Sequence, residues 1–464
     1  MLLPLSRRDW LSQASCGFGS LALTGLVGRA AAGGVAAPAP HHTPRAKRVI
    51  FLFMQGGVSQ VDSYDYKPRL LADDGKQFAF DDARAVANTG VRGSSQRLMK
   101  PLWKFDRHGQ AGRYASDLFP ETNKHLDQLT MLHAMSTEGV AHGPATLFLH
   151  CGSTNFVRPS LGSWVLYGLG SENDNLPGFV SIAPTPGNGG ARNYGPAFLP
   201  PLYQGTPLGR AGGPAGEMTV RNLKPGGEVP LELLRELHAE QLKRRPGDAE
   251  LEAVANSYEL GHRMQMNAPD ALDLSKESAE TKALYGIGDK PTDTFGKQCL
   301  MARRLCEAGV RFVQVTYGDG SANPAWDQHS NLPKHGEHAR NVDKPVAGLL
   351  ADLKRRGLLE DTIVWWGGEF GRTPYAEKNG TGRDHNPGGF TVWLAGAGVK
   401  PGLSYGATDD FGHLAVSGKV HMHDLHATLL HLLGLDHERL TFRYAGRDFR
   451  LTDVHGRVVK DFLS

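Results

Sequence analysis

The stretch Val49-Ile50-Phe51-Leu52-Phe53-Met54 is apolar at every position. An uninterrupted apolar run of this length is typical of a strand that is covered on both faces, as in a parallel sheet. Similar runs, less strictly apolar, lie at residues 129–132, 310–316, 362–366 and 390–394. The first run therefore predicts a central strand, and the later runs predict other strands of the same sheet.

Helical patterns alternate with these strands. Residues 294–308, 345–356 and 424–433 carry apolar side chains at the spacing of one helix face. Strands that alternate with helices are typical of the α/β class. The sequence thus predicts an α/β fold with a mostly parallel central sheet flanked by helices.

Two stretches depart from the alternation and are interpreted as insertions into a single domain, residues 47–464. Residues 184–230 are rich in proline and glycine, which predicts a long, cap-like loop. Residues 231–290 are charged and helical in pattern. Strand and helix patterns resume after them, so neither is assigned to a second domain.

The N-terminus has the features of an export signal. Arg7 and Arg8 precede an apolar stretch at residues 21–27, and alanines at 30–32 are typical of a signal-peptidase site. The arginine pair predicts a twin-arginine signal peptide over residues 1–32, joined to the domain by a linker at 33–46. The protein is therefore expected in the periplasm or outside the cell, exported by the twin-arginine machinery.

Charge and hydropathy exclude several classes of protein. The chain has 51 lysines and arginines against 48 aspartates and glutamates. Its net charge of +3 is too small and too evenly spread for a nucleic-acid-binding surface. Beyond the N-terminus no apolar run reaches the roughly 18 residues of a membrane span, so no integral membrane segment is predicted in the mature chain. Three of the four cysteines, Cys151, Cys299 and Cys306, lie beyond the predicted signal peptide, and this odd number at irregular spacing does not suggest a disulfide framework.

Polar side chains follow the predicted strands, where an open α/β sheet binds its ligands. Carboxylates and imidazoles at such positions are a donor set for a divalent metal such as zinc, manganese or iron. Each residue alone could equally cap a helix or bond to the backbone, but their convergence on one sheet edge favours a metal site. The candidates are Asp62, His142, Asp327, His329, Glu369 and His385.

Two arginines lie beside these candidates in the sequence. A planar guanidinium group can bind a phosphate or sulfate group through two hydrogen bonds, so Arg372 and Arg383 are the candidate substrate-binding residues. Four further histidines near the C-terminus are assigned to packing, because leucines surround them: His421, His423, His426 and His431.

Five motifs together resemble one family. They are Gly56-Gly57-Val58-Ser59-Gln60-Val61-Asp62, Trp326-Asp327-Gln328-His329, Glu369-Phe370-Gly371-Arg372-Thr373-Pro374, Gly382-Arg383-Asp384-His385-Asn386-Pro387, and Asp424-Leu425-His426-Ala427-Thr428 continuing to Leu433-Gly434-Leu435-Asp436-His437. The resemblance covers essentially the whole mature chain. It is to the secreted sulfatase-like proteins of domain of unknown function 1501, which belong to the alkaline phosphatase and sulfatase superfamily.

The resemblance implies an alkaline phosphatase/sulfatase-like fold and cleavage of sulfate or phosphate esters with one or two divalent metals. Asp327 and His329 match one metal's ligands, Glu369 matches the strand-end carboxylate of a second, and His385 completes the site. The metal is left open among zinc, manganese, iron and calcium.

Three departures from the superfamily pattern concern catalysis. Gln55 stands where the first strand normally ends in a metal-binding aspartate, and the nearest carboxylate is Asp62. The sulfatase signature that matures to formylglycine is absent. His142 stands at the nucleophile's position, where it could be a metal ligand or a phosphohistidine nucleophile. His142 and Ser59 are therefore the candidate catalytic residues.

Two hypotheses follow. The leading one is an exported, metal-dependent hydrolase of sulfate or phosphate esters, acting on a small molecule or saccharide. The alternative, motivated by the missing signature and by Gln55, is a non-catalytic metal- or glycan-binding surface protein on the same fold. A further expectation is that the insertion at 184–230 covers the substrate.

Overall fold

The apolar stretch lies within the strand Arg48–Met54 (β1), which occupies the middle of a nine-stranded sheet. Every residue of β1 is buried, as a strand covered on both faces requires. This computed structural model describes residues 39–80, 95–213, 231–246, 271–319, 323–377 and 380–464, with Ser321 and isolated positions between 248 and 263.

The other strands are β2 Gln77–Ala79, β3 Ser95–Arg97, β4 Phe105–His108, β5 Arg113–Ser116, β6 Leu129–Ser136, β7 Phe179–Ile182, β8 Thr206–Leu208, β9 Phe312–Tyr317, β10 Thr362–Gly367, β11 Gly371–Ala376, β12 Arg383–Asn386, β13 Phe390–Gly396, β14 Ser404–Tyr405, β15 Ala407–Thr408, β16 Ala415–Ser417, β17 Val420–His421, β18 Phe442–Tyr444 and β19 Arg447–Phe449. The α-helices are α1 Gln60–Ser63, α2 Pro68–Ala72, α3 His142–Cys151, α4 Leu161–Leu169, α5 Leu231–Arg244, α6 Ala279–Leu284, α7 Asp293–Glu307, α8 Lys334–Arg355 and α9 Met422–Leu432. Short 3-10 helices span Thr122–Gln128, Gly190–Tyr194, Pro201–Tyr203, Leu274–Lys276, Leu358–Glu360 and Lys460–Phe462.

The central sheet has the order β14-β6-β13-β10-β1-β9-β7-β8, and β17 pairs with β6. Strand β1 is parallel to both of its neighbours, β9 and β10. Strand β13 is antiparallel to β10 and β6, whereas the other described pairings of this sheet are parallel. The prediction of an α/β fold with a mostly parallel sheet is confirmed.

Alternate residues of β1 pack into two different cores. Ile50 and Leu52 join a cluster with side chains of α7 and α8, while Phe51 and Phe53 join another with side chains of α3, α4 and α9. Helices therefore cover both faces of the sheet. In register, Phe53 lies opposite Thr316 of β9 and Gly367 of β10, so the carboxyl ends of the three strands are level.

Two predicted boundaries differ from the structure. The helix predicted to begin at Pro345 begins at Lys334, because a proline inside a helix removes only one backbone hydrogen bond and the apolar face continues on both sides of it. Within the loop predicted at 184–230, residues Thr206–Leu208 form β8, which pairs in parallel with β7. The prolines of this region made the sequence pattern resemble a loop, although an edge strand can include a proline. Residues 214–230 lie outside the described residues.

The polypeptide divides into two units, Met1–Ala39 and Pro40–Ser464. The predicted signal peptide, residues 1–32, lies outside the described residues and stays a prediction. Within the described part of the chain, no helix has both the length and the apolar character needed to cross a membrane. Cys151, Cys299 and Cys306 are buried free thiols, in agreement with the sequence prediction.

Gly56, directly after β1, allows the loop that contains Asp327 to lie against the sheet edge. Its φ is +113°, and a Cβ there would lie 2.7 Å from the backbone nitrogen of Asp327 and 2.8 Å from that of Trp326. Gly75 also has a positive φ, +79°, but a Cβ there would meet nothing within 4 Å. Substitution of Gly75 should therefore cost only backbone strain, whereas substitution of Gly56 should add steric overlap with neighbouring backbone atoms.

We expect Gly75→Ala to destabilise the protein by about 1–2 kcal/mol, the cost of a left-handed alanine. Gly56→Ala should cost about 1–3 kcal/mol more, because the overlap involves backbone atoms. Thermal unfolding of the two variants beside the wild type checks this. Equal midpoints for both variants would contradict the close approach at Gly56.

Candidate metal centre

Five predicted residues meet at the carboxyl edge of the sheet, beside the ends of β1 and β10. His142 is the first residue of α3, Asp327 and His329 lie in the loop after β9, and Glu369 follows β10. His385 lies in β12, opposite Arg372 of β11. Segments that are far apart in the sequence thus bring their side chains to one place.

Asp327 is at the centre of this cluster. Its Oδ2 lies 3.1 Å from Nε2 of His142. Its Oδ1 lies 2.9 Å from Nε2 of His329 and 3.2 Å from Nε2 of His385. The Nε2 atoms of His329 and His385 are themselves 3.0 Å apart. Three imidazole rings therefore turn the same nitrogen toward one carboxylate.

A different partner orients each ring through its other nitrogen. Nδ1 of His142 lies 2.7 Å from Oε1 of Glu369, and Nδ1 of His329 lies 2.9 Å from Oε1 of Glu377. Nδ1 of His385 lies 2.6 Å from the carbonyl oxygen of Val140. Because carboxylates and carbonyls accept, each Nδ1 donates and each Nε2 faces the centre. Metal-binding histidines have this arrangement in most proteins.

Two residues of the centre were not predicted from the sequence. Glu377 orients His329, and Asp384 forms a second potential metal-binding group with His329 and His385, beside the group of His142, Asp327 and His385. Asp384 directly precedes His385 in the motif Gly382-Arg383-Asp384-His385-Asn386-Pro387, so this position could have identified it as a candidate ligand. Glu377 carries no such signal, because only the β11–β12 hairpin brings it to His329.

Electrostatics distinguish the three rings. Burial opposes charge on His329, yet hydrogen bonds to Asp327 and Glu377 raise the pKa of His329 to about 9. In the same way, despite burial, Asp327 and Glu369 raise the pKa of His142. Burial lowers the pKa of His385 to about 4, with Arg372 adding to the effect, so this ring is neutral and its Nε2 carries a lone pair.

Asp327 keeps its negative charge at the centre. Burial alone would raise the pKa of this carboxyl, but hydrogen bonds from His142 and His329 and the nearby charge of Arg372 hold it well below its usual range. In the metal-free protein, protons on His142 and His329 therefore balance the buried carboxylate. A divalent cation placed among the same atoms would take over that balance.

Glu369 was predicted to bind metal, but its carboxylate accepts hydrogen bonds from other groups of the protein. Both oxygens accept from the backbone N–H of Gly56 at 3.0 Å, and Oε1 also accepts from His142. Glu369 is completely buried. The structure makes it a positioning residue for His142 instead of a member of either potential metal-binding group.

Asp62 and Ser59 were predicted as a metal ligand and a catalytic residue, and in the structure both bond within the protein. Oδ2 of Asp62 lies 2.7 Å from Nε of Arg383 and accepts from the Ser59 hydroxyl, while Oδ1 accepts from the backbone of Leu102 at 2.9 Å. Asp62 and Ser59 are fully buried. Their polar atoms bond to one another and to the protein because α1 packs them into the interior.

Arg372 and Arg383 were predicted to bind an anionic group, and the structure places both in the interior of the protein. Both guanidinium groups are fully buried. Arg372 donates to the carbonyls of Gly56, Gly57, Trp326 and Arg383 and to Asp327, and Arg383 donates to Asp62 and to the carbonyls of Thr373, Met99 and Lys100. The arginines join loops together, since buried carbonyls need donors.

The C-terminal histidines have structural contacts. His421 caps the N-terminus of α9, and Nε2 of His426 lies 2.8 Å from the carbonyl of Leu149. Neither potential metal-binding group found in the described part of the chain includes His421, His423, His426 or His431. Their assignment to packing agrees with this geometry.

Comparison with known proteins identifies the family. The profile of the family described as "Protein of unknown function (DUF1501)" matches residues 46–463. The chain belongs to this family. The match spans β1 through the C-terminal 3-10 helix and includes every residue of the candidate centre. The comparison with curated proteins gives no match.

Solved structures resemble this DUF1501 chain only distantly. The PsFucS1 sulfatase from Pseudoalteromonas sp. is 13% identical, over 85% of this chain and 68% of its own, with a TM-score of 0.36. The alkaline phosphatase from the Antarctic bacterium TAB5 is 9% identical, over 84% and 98%, with a TM-score of 0.34. The lipoteichoic acid synthase LtaP from Listeria monocytogenes is 8% identical, over 90% and 78%, with a TM-score of 0.38.

We expect wild-type protein to bind about one equivalent of zinc or manganese and Asp327→Ala to bind none, because the central carboxylate is lost. Glu369→Gln should keep the stoichiometry and weaken affinity about ten- to hundredfold, as for a residue that orients a ligand. Elemental analysis and competition with a chelator measure both. Asp410→Asn, an exposed carboxylate paired with Arg69, is the control and should behave like the wild type. Full metal content in Asp327→Ala would contradict the centre.

Metal binding should release protons, because the metal displaces those on His142 and His329. At about pH 6, where both rings are charged, about two protons should be released, and the proton from His329 should be lost from the count as the pH rises through about 9. The apparent affinity should therefore rise with pH by up to about a hundredfold per unit in the acidic range. Calorimetry in buffers of different ionisation enthalpy counts the protons. His329→Gln should release one fewer, and an unchanged count would argue against this ring as a ligand.

Proposed function

We propose that this DUF1501 protein is an exported, metal-dependent hydrolase of sulfate or phosphate esters. One observation carries the proposal: the Nε2 atoms of His142, His329 and His385 surround Asp327, while a separate partner fixes each ring from behind. Imidazole nitrogens and a carboxylate that face one another in this way are a donor set that suits a divalent metal. The sequence resemblance to the sulfatase and alkaline phosphatase superfamily supports the choice of reaction.

The donor set suits some metals and not others. Imidazole nitrogens with a single carboxylate match zinc, and also manganese or iron. Calcium prefers six to eight oxygen ligands, so it is the least suitable of the four metals considered from the sequence. Asp62 and Glu369, the carboxylates considered for a further ion, bond to the protein instead. We therefore propose one metal, held by Asp327 and the three histidines.

The chain's own residues prepare the site for ester cleavage. A metal bound there would polarise an ester oxygen and lower the pKa of a water molecule. Glu369, Glu377 and the Val140 carbonyl keep the rings from rotating. Asp327 supplies a negative charge, and an ion pair holds its carboxylate in place: Nη2 of Arg372 lies 2.7 Å from Oδ1 of Asp327.

His142 acts as a ligand in this proposal and not as a covalent nucleophile. Its Nδ1 is paired with Glu369 and its Nε2 is 3.1 Å from Asp327, so neither nitrogen is directed to a substrate. A nucleophilic histidine needs one ring nitrogen that is free to attack. The attacking group is therefore water, and its proton leaves to solvent.

A second candidate function is a non-catalytic metal- or glycan-binding surface protein. One observation favours it: the two arginines predicted to bind the anion, Arg372 and Arg383, are buried and bonded to the protein. Without them, the metal alone would have to attract the anionic ester. The export signal at residues 1–32 and the substrate cap at 184–230 suit both candidates and remain predictions.

Turnover of model esters separates the two functions. We expect the zinc- or manganese-loaded protein to hydrolyse at least one of p-nitrophenyl sulfate, p-nitrophenyl phosphate and bis-p-nitrophenyl phosphate. Asp327→Ala and chelated wild type should be inactive, and Asp410→Asn should retain full activity. If the protein binds metal stoichiometrically but hydrolyses none of these esters, nor any sulfated saccharide, the non-catalytic binding function would be favoured over the hydrolase.

A further inference from the structure

A cleft opens at the same sheet edge as the metal centre, at the carboxyl ends of β7 and β9. Its volume is about 540 Å³, within the range of small-molecule sites. Thr294 and Gln298, one turn apart on α7, form one wall, and Asn341 of α8 and Tyr317 of β9 form another. Lys290, in the loop before α7, lies at its rim and is exposed.

The cleft is close to the metal centre. Neighbouring strands are about 4.8 Å apart, so the ends of β9 and β7 lie one and two spacings from β1. The ring of Tyr317, which lines the cleft, is 6.0 Å from that of Trp326, and Trp326 directly precedes Asp327. Gly318 forms part of the cleft, and a Cβ there would lie 2.6 Å from the Gln55 side chain, just before the loop at Gly56. Residues that line the cleft therefore lie against Gln55 and Trp326, which are close in sequence to Gly56 and Asp327.

The chemistry of the lining indicates what it binds. Among the described residues, Lys290 is the single charged side chain of the cleft and no carboxylate lines it. Gln298 and Asn341 offer amide groups, which bind hydroxyl groups as donors and acceptors. Tyr317 is held by Asn341 and His338, both at 2.9 Å, and burial raises the pKa of Tyr317 to about 12, so it adds no negative charge.

The backbone around the cleft is built for close approach. Ala183, directly after β7, is almost completely buried and has a φ of +52°, which is unusual for a residue other than glycine. Gly212 has a φ of +70°, and a Cβ there would lie 2.5 Å from the carbonyl oxygen of Asp319. The backbone at Ala183 and Gly212 thus packs closely against its neighbours on this side of the cleft.

We propose that this cleft binds the organic part of the substrate, a hydroxylated ring that carries a negative charge. This inference rests on the proposed hydrolase, with the scissile ester at the metal centre and the ring in the cleft beside it. Lys290 pairs with the charge, and Gln298 and Asn341 hydrogen-bond to the hydroxyl groups. The cleft therefore makes charged saccharides the preferred class of substrate.

Calorimetry with three probes tests the cleft directly: galactose 6-sulfate, galactose and inorganic sulfate. Galactose 6-sulfate should bind wild type more tightly than either other probe. Lys290→Ala should weaken its binding about fivefold, as expected for a partly exposed charge contact. Lys419→Ala, an exposed lysine outside the cleft, is the matched control and should bind like the wild type. Equal loss in both lysine variants would overturn the assignment.

A filling variant keeps the test independent of charge. Thr294 is exposed on α7, so Thr294→Trp should fill the cleft without disturbing the fold, and it should abolish binding while leaving metal content unchanged. Undiminished binding in this variant, or no binding of galactose 6-sulfate by wild type at millimolar concentration, would overturn the proposal. Asp327→Ala separates the two proposals, because the cleft should still bind galactose 6-sulfate in a protein that has lost its metal. If the protein hydrolyses esters but the cleft variants bind galactose 6-sulfate like the wild type, the proposed hydrolase activity would be supported and the proposed role of the cleft would be wrong.

Discussion

A buried negative charge needs compensation, and the carboxylate of Asp327 imposes this requirement on everything around it. Its oxygens lie within 3.2 Å of His142, His329 and His385 and 2.7 Å from Arg372. The histidines can exchange their protons for a metal ion, whereas the arginine cannot lose its charge. The centre therefore combines one permanent cation, Arg372, with two histidines of raised pKa, His142 and His329, whose protons a metal ion can replace.

Arg372 also explains how loops from distant parts of the sequence keep this geometry. Its guanidinium group donates to carbonyls after β1, in the Asp327 loop and in β12, and Gly56 permits those loops to touch. Arg383 likewise joins Asp62 of α1 to the carbonyls of Met99 and Lys100. The two arginines thus serve the site by fixing its walls. In an enzyme of this design, the metal and a cleft beside it, and not the arginines, would recognise the substrate.

Residue type and position allowed much of the fold and part of the centre to be predicted. The apolar run of β1 predicted a strand covered on both faces, and the polar residues after successive strands predicted a site at their carboxyl ends. Asp327, His329, His385 and His142 do meet there. Misassigned boundaries have local causes, such as Pro345 inside α8 and the proline-containing edge strand β8.

The sequence by itself determined the alternation of strands and helices. It also determined which carboxylates and imidazoles follow the strands at one edge of the sheet, because both features depend on residue type and order. Only the tertiary structure decided which of these groups face one another. Asp62 and Glu369 look as suitable for a metal as Asp327, yet Asp62 pairs with Arg383 and Glu369 with Gly56 and His142, partners far away in the sequence. A lone pair that already accepts from the protein is not available to a metal, and that depends on contacts that no local pattern reveals.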